Sequence, residues 1–204
     1  FRQTANNELI MNDINYFQEG WFHIMSADAL DHQLFIISMA ALFLWKDWRR
    51  VLVLVTAFTI GHSLTLALSA YDIIRFSTTW VEFLIPITIV LTAAYDLKYV
   101  NLSKIENRNI GFNYIIALSF GLIHGMGFAN TIRMMLASDQ RIGLPLLSFN
   151  LGLEAGQIVL ILLILLAAQL IVVTLKIPRK FWILLLSVIP LVLALKMAIE
   201  RFPY

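Results

Sequence analysis

Gly20-Trp21-Phe22-His23-Ile24-Met25-Ser26-Ala27-Asp28-Ala29-Leu30-Asp31-His32-Gln33-Leu34-Phe35 holds two of the chain's four histidines and two carboxylates, at the threshold of its first long apolar run. Asp28 and His32 are four residues apart, a spacing that stacks side chains on one face of a helix. Histidines and aspartates crowded against an apolar segment read as one wall of a metal site held in a membrane.

The composition around that stretch agrees. Of 204 residues, 60% are hydrophobic and 14% charged, with a mean hydropathy of +0.80. Soluble domains average about 45–50% apolar and about 25% charged residues. The apolar excess is gathered into blocks, which predicts an all-α, polytopic membrane protein forming a single membrane domain over residues 1–204. The net charge of +2 and the lack of any basic run exclude a nucleic-acid partner. With no cysteine in the chain, any metal must be held by imidazole, carboxylate, amide or hydroxyl groups.

Working outward, residues 1–8 are polar and expected to be disordered or foreign to the natural chain. Residues 9–25 place Ile10, Ile14, Phe17, Trp21 and Ile24 at helical spacing among polar residues, which predicts an amphipathic helix lying in the membrane interface. A six-helix bundle over 28–197 follows. Its spans are expected at Asp28–Trp45, Val51–Tyr71, Trp80–Tyr95, Ile110–Asn130, Pro145–Leu175 and Phe181–Met197. The fifth is long enough to require strong tilt, or irregular backbone around Gly152 and Gly156. Pro190 should bend the sixth.

Lysines and arginines set the orientation. Three lie in each of the first, third and fifth loops: Lys46, Arg49 and Arg50; Lys98, Lys104 and Arg108; Lys176, Arg179 and Lys180. The remaining six, Arg2, Arg75, Arg133, Arg141, Lys196 and Arg201, are shared among the segments on the other side. Both termini are therefore expected outside. In that frame His32, His62, His124, Glu82 and Glu154 all fall between the outer surface and the midplane. His62, for example, lies roughly 16 Å above the inner end of its helix at 1.5 Å per residue.

Ionisable groups inside a bilayer are costly and point to function by default. The candidate metal ligands are His23, Asp28, Asp31, His32, His62, His124 and Glu154. Imidazoles and carboxylates without thiolates suit nickel, cobalt or zinc as the divalent ion. Thr59, Ser63, Glu82, Asn150 and Gln157 are candidates for supporting those ligands; Asn150, Glu154 and Gln157 share one helix face. Simpler readings stand beside these. His23 can face headgroups, Asp28 can cap a helix, and Glu82 can favour a helix N-terminus. Gly121/Gly125 and Gly152/Gly156 have the spacing of close helix packing.

Four motifs in order carry a family likeness: Gly20-Trp-Phe-His-Ile with Leu30-Asp-His-Gln-Leu-Phe, Thr56-Ala-Phe-Thr-Ile-Gly-His-Ser-Leu-Thr, Gly121-Leu-Ile-His-Gly-Met-Gly-Phe-Ala, and Phe149-Asn-Leu-Gly-Leu-Glu-Ala-Gly-Gln. Across roughly residues 15–160 the chain resembles the HupE/UreJ membrane proteins. The resemblance implies an accessory protein of nickel hydrogenase or urease systems that moves nickel or cobalt across the bacterial inner membrane. It implies metal handling at His23, Asp31, His32, His62, His124 and Glu154. The chain differs from the His-x4-Asp-His signature of related nickel/cobalt permeases, because seven residues separate His23 from Asp31.

Three functions follow. The first is a divalent-metal permease, with the lipid bilayer, the ion, and either a second copy or metalloenzyme-maturation proteins as partners. The second is an intramembrane zinc hydrolase acting on lipid or membrane peptide, with Asp31, Ser63 and Glu154 as catalytic candidates. The third is a metal-stabilised membrane protein that assists assembly of another protein.

Overall fold

The structure is a computed structural model and describes residues 2–101, 110–136 and 142–204. Lys104, Arg108 and Arg141, used above for orientation, lie outside the described residues. Every regular element among the described residues is helical: α1 (Arg2–Met25), α2 (Leu30–Ala40), α3 (Trp48–Ala70), α4 (Thr78–Leu97), α5 (Ile110–Leu136), α6 (Gly143–Ala168) and α7 (Arg179–Glu200). Among the described residues, five stretches are long and apolar enough to cross a membrane: Trp45–Ala70, Thr78–Leu97, Asn113–Met134, Gly143–Thr174 and Arg179–Glu200. They correspond to the second through sixth expected spans.

The expected first span is divided. A 3-10 turn at Ala27–Ala29 precedes the 11-residue α2, and a second 3-10 turn occupies Trp45–Asp47. At 1.5 Å per residue α2 reaches only about 16 Å, roughly half of a 30 Å hydrocarbon core. Side chains satisfy the backbone where the helix stops. Gln33 Nε2 donates to the carbonyls of Ile24 (3.0 Å) and Ser26 (2.8 Å) where α1 ends, the Ser26 oxygen also accepting the Ala29 backbone N–H at 3.1 Å. Asp31 Oδ1 accepts the His32 backbone N–H at 2.8 Å, serving the first turn of α2. The break is therefore written into the same stretch that carries the histidines.

The helix preceding the break begins at Arg2 rather than near residue 9. Its second half packs backbone to backbone on α6: a Cβ on Gly20 would collide with the Phe149 carbonyl, and one on Gly152 with the Phe17 carbonyl. The long fifth span stays α-helical through Gly152 and Gly156, and its irregular part is a π-helical turn at Gln169–Thr174. Pro86 and Pro190 lie inside continuous helices α4 and α7.

The same device joins α3 to α5, the tightest pair in the molecule. A Cβ on Gly61 would strike the Leu118 carbonyl, one on Gly121 the Phe58 carbonyl, and one on Gly125 the Thr65 hydroxyl. Small residues three or four apart let helix axes approach where apolar burial alone gives no drive. Because the matched positions rise together (Phe58 with Gly121, Thr65 with Gly125), the two helices run in the same direction. Their close approach carries His62 and His124 into the interior. Beyond them, Arg133 of α5 donates to Ser69 Oγ and reaches Asp72. Hydrogen bonds from Arg75 hold the exposed Asp72 carboxyl below its ordinary value.

Candidate metal centre

Three imidazoles from three helices converge: His23 from the last turn of α1, His32 from the first turn of α2, and His62 from the middle of α3. One ring nitrogen from each lies within 4.8 Å of the others. The ring centroids are 4.8 Å apart for His23 and His32, 5.9 Å for His32 and His62, and 6.2 Å for His23 and His62. His62 and His124 are fully buried and His32 is 5% exposed, while His23 is half-buried against Phe128.

Hydrogen bonds decide which nitrogens carry lone pairs. His32 Nδ1 lies 2.9 Å from Asp31 Oδ1, so the ring donates its proton there and Nε2 keeps a lone pair. A carboxylate behind a histidine in this way fixes ring orientation and raises basicity, as it does behind metal ligands. His124 Nε2 is 3.2 Å from Thr88 Oγ1, whose own proton goes to the Ile85 carbonyl at 2.6 Å. His124 therefore donates through Nε2, and its Nδ1 carries the lone pair. Four buried ring positions, His23 Nε2, His32 Nε2, His62 Nδ1 and Nε2, find no hydrogen-bond partner among the described residues, nor does His124 Nδ1.

Burying polar nitrogens without partners costs about 1–3 kcal/mol each. A divalent ion would remove that cost for several at once, and the donor set suits nickel, cobalt or zinc. Ligand bonds of 2.0–2.1 Å place tetrahedral nitrogens about 3.3 Å apart, so the group must contract by about 1.5 Å at its widest to hold one ion. Rotation of the half-buried His23 ring is the easiest adjustment.

The other candidate residues are placed variously. Asp31 belongs to the centre through His32, and its second oxygen is 3.7 Å from Arg201 at the end of α7. His124 adjoins the group, its ring 4.9 Å from that of His32. A cavity of about 410 Å³ reaches His23, His32 and His124 from outside and has Asp28 and Glu82 in its wall, both exposed. Glu154 points elsewhere: its carboxylate accepts from Thr56 at 2.7 Å, between α3 and α6. Thr59 donates to Gln157 at 2.8 Å, so those two satisfy one another. Asn150 stands beside His62 but gives its N–H to the Leu146 carbonyl. Ser63 is half-buried on α3.

Thr88, Gln33 and Arg201 escaped the sequence reading. A threonine in an apolar span carries no periodic signal. The ion pair of Arg201 with Asp31 depends on the last helix returning to the break.

Fold and site together define a multi-pass helical membrane protein with a buried histidine centre. The chain belongs to the HupE/UreJ family: the family model described as HupE / UreJ protein matches residues 2–201. Comparison with curated proteins and with solved structures gives no match.

Proposed function

We propose that the chain is a permease for a divalent transition metal, nickel or cobalt with zinc as the further candidate, in a bacterial inner membrane. The observation that carries this is the three-imidazole group, His23, His32 and His62, each with a ring nitrogen within 4.8 Å of the others and each with a buried nitrogen that finds no partner among the described residues. The HupE/UreJ membership favours nickel or cobalt. The ion is the cargo. It would enter past Asp28 and Glu82, and bind the imidazoles with Asp31 behind His32 and His124 alongside.

The broken helix supports movement. We read the second half of α1 and the 11-residue α2 as two half-crossings in series that supply the sixth span. The α1 register on α6, Phe17 with Gly152 and Ile24 with Gly156, makes those two helices parallel. From there α2 runs to Ala40, and just beyond it the Leu42 carbonyl accepts from Arg179 at the start of α7. Helices interrupted in mid-membrane are the means by which many transporters expose helix ends to an ion. The end of α1, where carbonyls concentrate partial negative charge, is next to His23. The basic loops with Lys46, Arg49 and Arg50 would face the cytoplasm, leaving both termini outside.

Uptake of nickel, cobalt and zinc into proteoliposomes tests the proposal. His32→Ala and His62→Ala should abolish uptake while leaving the helical content unchanged. A wild-type protein that binds metal and passes none would remove the transport reading. The cavity that brings water, Asp28 and Glu82 towards the centre favours a second reading, a metal-dependent hydrolase. Metal-dependent cleavage of a lipid or membrane peptide in the same proteoliposomes would select it.

A further inference from the structure

A second cavity, of about 460 Å³, lies on the other side of the histidines. Its wall includes Met39 of α2 and Leu42 just after it, Thr92 and Asp96 of α4, and Asn113 and Phe120 of α5. Asp96 is 4% exposed and takes the Ser38 hydroxyl at 3.4 Å. The Asn113 side-chain carbonyl oxygen is buried without a partner among the described residues. The sequence reading expected polar groups only in the outer half of the membrane; the buried carboxylate of Asp96 stands towards the basic face.

Helix α4 lines both cavities in turn. Glu82 and Ile85 belong to the first, and Leu91 to Asp96 to the second. Ile85 and Leu91 are about 9 Å apart along the helix axis. On α2 the order is His32, Phe35, Met39, a spacing that keeps one face: ligand, aromatic ring, cavity wall. Phe35 lines the second cavity, and its ring centroid is 5.4 Å from that of His124, which lines the first. Phe58 stacks on it at 5.0 Å and Phe120 meets its edge at 5.7 Å.

We propose that Phe35 is a one-side-chain barrier between the metal centre and the second cavity, and that displacing its ring joins the two into a passage towards the basic face. The inference deepens the permease reading and relies on it for its purpose. Phe35 suits the task because its ring stands between the two cavities among those of His124, Phe58 and Phe120, and because a short helix flanked by 3-10 turns carries it. An ion leaving His32 and His124 would pass Phe35 and meet Thr92, Asn113 and Asp96.

The chain has no native cysteine, so Thr92→Cys supplies a single reporter thiol in the second cavity. In sealed vesicles of each orientation, a charged, membrane-impermeant thiosulfonate should modify it from the basic face and not from the opposite one. Adding Phe35→Ala should raise modification from the opposite face at least tenfold. Phe35→Leu, which removes less, should give a smaller rise. Retained labelling from the basic face shows that each variant is folded.

Modification from the opposite face with Phe35 intact would overturn the proposal, as would no gain with either variant. Reaction only with a lipid-soluble maleimide would overturn it too, assigning the cavity to a lipid chain. Labelling needs no metal. If Phe35→Ala opens the passage while proteoliposomes take up no ion, the permease reading fails and the barrier stands.

Discussion

Replacing Asp31 by Asn tests the logic of the centre with little steric change. Asp31 Oδ1 accepts two bonds from His32, from Nδ1 at 2.9 Å and from the backbone N–H at 2.8 Å. An asparagine oxygen can keep both contacts but not the charge. Charge-assisted hydrogen bonds are about twice as strong as neutral ones, so roughly 1 kcal/mol of support for the Nε2 lone pair of His32 is lost. Removing partners behind metal-ligating histidines costs about 10–100-fold in affinity, or about 1.4–2.7 kcal/mol. Asp31→Asn belongs at the lower end of that range and Asp31→Ala, which also frees the tautomer, at the upper end. Competition titration of the detergent-solubilised protein against a fluorescent chelator, with nickel, cobalt and zinc in turn, measures both. If both variants bind within twofold of wild type, His32 is not a ligand oriented by Asp31, and the reasoning is refuted.

Other outcomes follow from the same geometry. Metal affinity should fall as pH falls, since protons compete for the imidazole lone pairs, and chelator titrations at stepped pH should show proton release on binding. Gln33→Ala removes the side-chain donor to the Ile24 and Ser26 carbonyls, the second of which keeps the Ala29 N–H, and should cost about 1–3 kcal/mol in an unfolding titration, without touching a histidine. Gly121→Leu drives a side chain into the Phe58 carbonyl and should cost about 3 kcal/mol or more, seen as loss of the folded protein in detergent. Asp72 titrates below the usual carboxylate range, so its pairing with Arg75 is present at and above that range and is lost as pH falls through the lowered value. Proteolysis around residues 71–77 should quicken only at that acid limit, and in Asp72→Asn at every pH.

Much of this was readable from the sequence because the membrane makes polar residues conspicuous. His32, His62 and His124 stood out as costly groups in apolar segments, and each proved buried at the centre. Asp31 was legible beside His32. The glycine pairs announced helix contact: Gly121, Gly125 and Gly152 are where the backbones touch, and Gly156 meets the Ile24 side chain. What local pattern could not carry was direction. Glu154 shares a helix face with Asn150, yet α3 presents Thr56 to one and His62 to the other, so the two part company. The broken first span was hidden for a related reason. Residues 28–45 have the hydropathy of a crossing, and the break depends on Gln33 reaching back nine residues to Ile24. Thr88 and Arg201 acquire their roles only when α4 meets α5 and α7 returns to Asp31. Asp96 drew no reading because it lies one residue beyond the expected third span, Trp80–Tyr95, whereas α4 continues to Leu97 and buries it.

The central claim is that His23, His32 and His62 hold one ion together. X-ray absorption on the nickel- or zinc-loaded protein measures this directly. The account predicts a first shell of nitrogen and oxygen, near 2.0–2.1 Å for zinc, with the multiple scattering of three imidazoles. One imidazole should be lost in His62→Ala and another in His23→Ala. A shell of oxygen alone, unchanged by either substitution, would contradict it.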